Sequence, residues 1–290
     1  MNELLEILHP SYVLRNSLYG GIVTGLILPL IGVLMYARRM VFLGVALPQV
    51  SATGIAGAIF WHQAFHQSDG PHSDFFVALI GSTILTTIVL LVLAALERKG
   101  MGVVEGRIGV IYIFAGAVTV LLLASEHVPE VGVITLLRGQ IIAISGTDMM
   151  LLLVFYSGVA AALWYVRREL FLVSVDRDFA LSMRKKVWVW DLVLYALVGL
   201  TISLGVLTVG PLLTFAFLLI PPMIAFQMAK RFHAVPFVAA PIGGGIAFFG
   251  FLGSYFLDWP TGATDALLGG LLLVMISIIN WTLTFGREHG

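Results

Sequence analysis

The sequence predicts an all-α, polytopic membrane protein with about nine transmembrane helices, and three observations carry that prediction. Of its 290 residues, 59% are hydrophobic. Only 11% are charged, less than half the roughly 25% of a soluble domain. The apolar residues also gather in long runs, giving a mean hydropathy of +1.01. The formal net charge is zero and says little about partners, because the charges sort by side; no nucleic-acid partner is expected. The absence of cysteine excludes disulfides, thiolate metal sites and cysteine nucleophiles.

A span needs about 20 mainly apolar residues. The opening MNELLEILHPSYVLRNSLYG is mixed and acidic, without a cleavable signal pattern. Residues 1–14 are expected to be a retained amphipathic lead-in to a single transmembrane domain covering 1–290. Candidate spans follow at about 16–37, 41–61, 75–96, 108–125, 149–166, 189–207, 210–229, 235–257 and 264–285. The break near Thr208, Val209 and Gly210 decides the count. With the N-terminus outside, Arg38, Arg39, Arg98, Lys99, Arg107, Arg167, Arg168, Arg177, Arg184, Lys185, Lys186, Lys230, Arg231 and Arg287 fall inside. Only Arg15 and Arg138 fall outside, an asymmetry that favours nine spans and a cytoplasmic C-terminus. The expected location is the inner or plasma membrane, in contact with lipid.

The connecting segments differ in chemistry. HQAFHQSDGPHSD (62–74) places His62, His66, His72, Asp69 and Asp74 on the outer side, and SEHVPE adds Glu126, His127 and Glu130. Imidazole and carboxylate together suit divalent metals, although the spacing matches no closed site and a solvated loop explains it equally. VGVITLLRGQIIAISGTD suits a short helix at the outer interface. On the inner side, RRELFLVSVDRDFALSMRKK (167–186) is the longest loop. Asp176 can cap a short helix there, with basic residues toward its C-terminal end, either as a connection or as a knob for a soluble partner.

The segment MVFLGVALPQVSATGIAGAIF (40–60) is hydrocarbon-length yet carries Pro48, Gln49, Ser51 and Thr53. A proline removes a backbone bond and leaves a carbonyl open, so Pro48 is expected to bend the span near its middle, with Gln49 able to satisfy the open group. Gly54 and Ala58, four apart, permit close helix approach. Pro221 and Pro222 suggest a second kink. Ionisable groups at membrane depth signal function, and the spans hold almost none: Asp148 and Asp191 sit at span ends, and Glu97 marks an exit. No nucleotide-binding P-loop occurs, and an enzyme is not expected.

Several segments together resemble the membrane-spanning subunit of ABC importers for zinc, manganese and iron. VGPLLTFAFLLIPPMIAFQMAKRF (209–232) is similar to that family's most recognisable segment. FLGSYFLDWPTGATDALLGGLL resembles its Ser-Tyr…Pro-x-Gly-Ala turn. GRIGVIYIFAGAVTVLLLAS and LLRGQIIAISGTDM resemble its middle, and VSVDRDFALSMRKK resembles its coupling helix. The likeness covers about residues 15 to 285. It implies a second permease subunit, as a homo- or heterodimer, and cytoplasmic ATPases that carry the ATP. An extracytoplasmic binding protein would deliver the substrate. No cofactor is implied on this chain, and the transported metal ion would be its cargo. Asp176, Arg177, Asp178, Phe179 and Ala180 would contact the ATPase.

One departure stands out. The family usually reads Gly-Asp-Ala-Leu-Ser-His where this chain reads Gly44-Val45-Ala46-Leu47-Pro48-Gln49. Val45 and Gln49 replace the Asp and His ligands. They still share a helix face, but Val has no lone pair and Gln one neutral amide oxygen. Three alternatives stand: a metal permease with a site built from Gln49, Ser51, Thr53 and carbonyls freed at Pro48; a permease for a chelate or neutral solute; or a non-transporting partner or scaffold subunit. Val45, Pro48, Gln49, Ser51 and Thr53 are the expected pathway residues.

Overall fold

The computed structural model describes residues 15–65, 71–98, 104–125, 146–175 and 177–288. The described residues form α1 (Arg15–Ala37), α2 (Leu43–Phe65), α3 (Pro71–Arg98), α4 (Val104–Leu123), α5 (Gly146–Val175), α6 (Arg177–Ser182), α7 (Val187–Met228), a 3-10 turn (Phe232–Ala234), α8 (Val235–Leu257) and α9 (Thr261–Glu288). Eight of these helices are long and apolar enough to cross a membrane. All backbone polar groups must be satisfied inside a bilayer, which is why the apolar runs become helices.

The helix α7 covers the ground of two of the nine expected spans, 189–207 and 210–229. Its 42 residues would make a straight rod of ~63 Å, about twice the hydrocarbon thickness. Gly210 interrupts it at φ 81° and ψ 169°, a conformation that favours glycine. Pro211 follows, where its missing N–H costs nothing at a helix start. The two arms, 187–209 and 211–228, double back on each other. A β-carbon on Gly205 would lie 2.9 Å from Thr214 Oγ1, although residues nine apart on a straight helix stand ~13 Å apart. Both arms also finish at the same end of α1, since Asp191 meets Arg38 at 2.7 Å and Phe226 stacks on Tyr36 at 4.7 Å. The segment leaves and returns on one side. The sharp break comes from Gly210, whereas Pro221 and Pro222 lie within the second arm.

The tip of this hairpin is buried in protein. Thr208 lies 3.1 Å from the Thr24 hydroxyl, which in turn lies 3.2 Å from Tyr156 Oη. Thr208 also donates toward Leu204 O and Gly205 O, and Thr214 donates to Gly210 O at 2.7 Å. Hydroxyls thus meet carbonyls at the turn, the condition under which irregular backbone survives at membrane depth.

Small residues set the packing around α7. Gly25 of α1 sits against Gly243 of α8, and Gly32 against the backbone of Leu218. The anticipated Gly54 and Ala58 contact is present: a β-carbon on Gly54 would lie 2.6 Å from Ser82 Cα, and Ala58 abuts Gly81 of α3. The core runs through α1, α2 and the two arms of α7, with Leu28, Ile31, Ala46, Leu47, Ile202, Leu204 and Leu213 fully buried. By contrast α4, α5 and α9 keep most of their apolar surface outward, as a lipid or subunit contact requires.

Two expectations need correction. The fifth helix does not end near residue 166 but runs on to Val175, so the inner 167–186 segment is mostly helix, leaving α6 and short flanks as the connection. Leu170 and Val173 are buried, and this apolar contact extends the helix past its membrane length. The spans are also not free of buried carboxylates. Asp265 of α9 is 1% exposed against Gly250 of α8.

Candidate functional site

The helix α2 holds the expected pathway residues, and its faces separate them. Val45, Gln49 and Thr53 recur every four residues and share one face, directed at α4. There the Gln49 amide lies beside Gly116, whose added β-carbon would sit 3.5 Å from Gln49 Nε2. The Thr53 hydroxyl lies 3.0 Å from Gln49 O, 2.9 Å from Ala115 O and 2.8 Å from Thr119 Oγ1. Thr119 also donates to Ala115 O at 2.9 Å. Val45 and Gln49 are half-buried, while Pro48 is buried. Ser51 points elsewhere, 3.5 Å from Ser203 on the first arm of α7, and so is separated from the Gln49 face.

Pro48 falls in the second turn of α2, and the helix continues through it. Its missing N–H releases Gly44 O. The Thr53 hydroxyl bonds Gln49 O across one turn. The stripe therefore presents an amide, two hydroxyls and backbone carbonyls, with no charged side chain among the described members. At the start of α2 a recess of about 450 Å³ opens between Tyr36, Ala37, Arg39, Val41, Phe42 and Phe226.

Thr119, Ala115 and Gly116 went unnoticed in the sequence. The signal was faint, a run of small residues (Ala115, Gly116, Ala117) followed by Thr119 in an apolar helix. Asp265 was missed for a simpler reason: it stands at the very start of the predicted last span, 264–285, where a carboxylate reads as a span end, whereas the helix begins at Thr261. It does not replace the absent ligands, because α9 packs on α7 and α8.

The connection expected on the inner side is small. Helix α6 follows Asp176 directly, though Asp176 lies outside the described residues. Ala180 is fully buried in a cluster with Val173 and Val187. Phe179, Leu181 and Met183 stand out at 52%, 54% and 52% exposure. Arg177 and Asp178 open the helix.

The outer candidates do not assemble among the described residues. His62 is half-buried in the last turn of α2, and His72 and Asp74 lie in the first turn of α3. His66, Asp69, Glu126, His127, Glu130 and the predicted interfacial helix near 131–145 lie outside the described residues. Among the described residues no three His, Asp or Glu side chains gather as a metal site.

The ABC 3 transport family matches this chain over residues 11–280. The chain belongs to that family. It is similar to the manganese transport system membrane protein MntC of Halalkalibacterium halodurans, with 24% identity over 93% of this chain and 88% of the relative. A "Probable metal transport system membrane protein" of Chlamydia trachomatis is 29% identical over 50% of this chain, which spans about a third (35%) of that relative's length. The fold is that of the solved structure titled "PsaBC from Streptococcus pneumoniae in complex with Fab", with a TM-score of 0.82 and 19% identity over 95% of this chain and 94% of the other. This ABC 3 protein is accordingly a multi-pass helical membrane protein, the membrane-spanning subunit of an ABC transporter.

Proposed function

We propose that this chain is the permease of an ATP-driven importer for a divalent metal ion. It pairs with a second permease, carries two cytoplasmic ATPases and receives its cargo from an extracytoplasmic binding protein. Nine crossings, with the N-terminus outside and the C-terminus inside, accord with the charge asymmetry and with α7 returning to its starting side. Phe179 and its exposed neighbours on α6 seat the ATPase, while Ala180 anchors the helix from beneath.

The observation that carries this reading is the polar stripe of Gln49, Thr53, Thr119 and Ala115 O on an otherwise apolar α2–α4 contact. Its donors are all neutral oxygens and an amide. Such a set holds a hard ion such as manganese better than zinc, which prefers imidazole or thiolate. A passing ion needs a site weak enough to leave, and a neutral one serves when the ion keeps part of its water. The recess at the start of α2 is the inner vestibule. A second reading rests on the uncharged stripe itself: a chelated metal or a neutral solute would cross it at lower desolvation cost. A third has the chain as a non-transporting partner of another permease.

The deciding experiment is uptake of manganese and zinc by the reconstituted complex, wild type beside Val45→Asp/Gln49→His. Manganese uptake by wild type supports the first reading. Uptake by the double variant alone removes it and leaves a chelate, a neutral solute or a partner subunit.

A further inference from the structure

The inner end of the bundle contains a buried ion pair that the transport pathway does not use. Arg38 follows α1 directly. Its Nη1 donates to Asp191 Oδ1 at 2.7 Å, and its Nε donates to Ser174 Oγ at 2.9 Å. The two charged side chains are 8% and 3% exposed. Arg38 Nη2 is buried and makes no hydrogen bond to the described residues.

The location matters more than the pair itself. Ser174 is in the last turn of α5, and Asp191 is in the second turn of α7. These are the two helix ends that α6 connects. Ala180 of α6 packs on Val173 and Val187, one residue before Ser174 and four before Asp191. Arg38 and α6 therefore grip the same pair of helix ends from different sides. The α1 helix, which Arg38 directly follows, also contacts the rest of the bundle. It lies against α8 at Gly25, against the second arm of α7 at Gly32, and stacks on Phe226 through Tyr36.

Energetics argue against a purely static role. A buried ion pair is often no more stabilising than apolar side chains of similar volume. A buried donor without a partner adds a further cost. What the pair supplies is direction: a guanidinium holding two acceptors fixes distance and angle, which an apolar contact does not. Cores with two discrete packings pass such displacements on rather than absorbing them.

Resting on the docking role of α6 proposed above, we propose that Arg38 is a positioning residue. Through Asp191 and Ser174 it carries the displacement of the ATPase-bound α6 to α1, and α1 passes it to α8 and the second arm of α7. The juxtaposition that supports this is one arginine bonded to both helices that flank the coupling helix.

The test uses the assembled complex with its ATPase. Because the chain has no cysteine, Tyr19→Cys on α1 and Leu121→Cys on α4 accept spin labels at exposed positions. Wild type should show an ATP-dependent change in the distance between them. Arg38→Met/Asp191→Leu removes both charges of the pair together. It should keep the ATPase bound and lose the distance change. Ser174→Ala, a smaller perturbation, should reduce the change, and it serves alone where the double variant fails to fold. An undiminished change in either folded variant, or none in wild type, overturns the proposal. Phe179→Ala separates the two ideas: ATPase retained there sinks the docking reading, whereas ATPase lost there with an unaltered change in Arg38→Met/Asp191→Leu sinks only the arginine link.

Discussion

Gly25→Ala should destabilise the subunit even though alanine is the better helix former. The new β-carbon would sit 2.6 Å from Gly243 O, 3.0 Å from Gly243 C and 3.1 Å from Ala247 Cβ. Two of these three atoms are backbone, so no side-chain rotation relieves the overlap, and α1 must move off α8. An opening of ~0.5–1 Å forfeits a quarter to a half of each contact of ~0.15 kcal/mol. Over roughly twenty heavy-atom pairs in the patch, that amounts to about 0.75–1.5 kcal/mol, reaching into the ~1–3 kcal/mol typical of overpacked cores. Alanine returns at most ~1 kcal/mol through helix propensity. Gly158→Ala on α5 is the control, since nothing lies within 4 Å of a β-carbon there, and it should gain up to ~1 kcal/mol. Unfolding of the purified subunit in mixed detergent, with both variants beside wild type, measures the difference. The reasoning is refuted if Gly25→Ala proves as stable as Gly158→Ala.

Other expectations follow from particular contacts. Thr53→Val removes the hydroxyl that joins α2 to α4 and should cost about 0.5–1.5 kcal/mol in the same unfolding assay; Ala115 O keeps its bond from Thr119, so a larger loss would point to a different role. Tyr156→Phe takes one hydroxyl from the Thr24–Thr208 group, and amide exchange at 205–214 should accelerate, with an unchanged profile counting against a pinned hairpin tip. Phe179→Ala should release the ATPase on co-purification, since the ring is 52% exposed on α6, while the permease stays folded.

Much of the architecture was legible because a bilayer admits few solutions. Long apolar runs must be helices, and the positions of Arg38, Lys186 and Arg231 mark their ends without any knowledge of packing. Hydropathy left the stop at Gly210 ambiguous, and only the charge asymmetry favoured a reversal there. Hydropathy stays high through Thr208, Val209 and Gly210, so composition cannot distinguish a bent helix from a reversal. The left-handed backbone at Gly210 and the meeting of Gly205 with Thr214 made that distinction.

The site divides in the same way. Sequence alone determined that α2 carries Val45 and Gln49 on one face, because helical periodicity is local, and that the residues there are uncharged. Tertiary structure decided what the face meets. It paired Thr53 with Thr119 and Ala115 O across helices, turned Ser51 toward Ser203, buried Ala180 while exposing Phe179, and brought Arg38 to Asp191 over 153 positions of chain. A local pattern fixes the direction of a side chain relative to its own helix. Which neighbour fills that direction depends on how glycines and alanines let the helices close, and that is a property of the whole bundle.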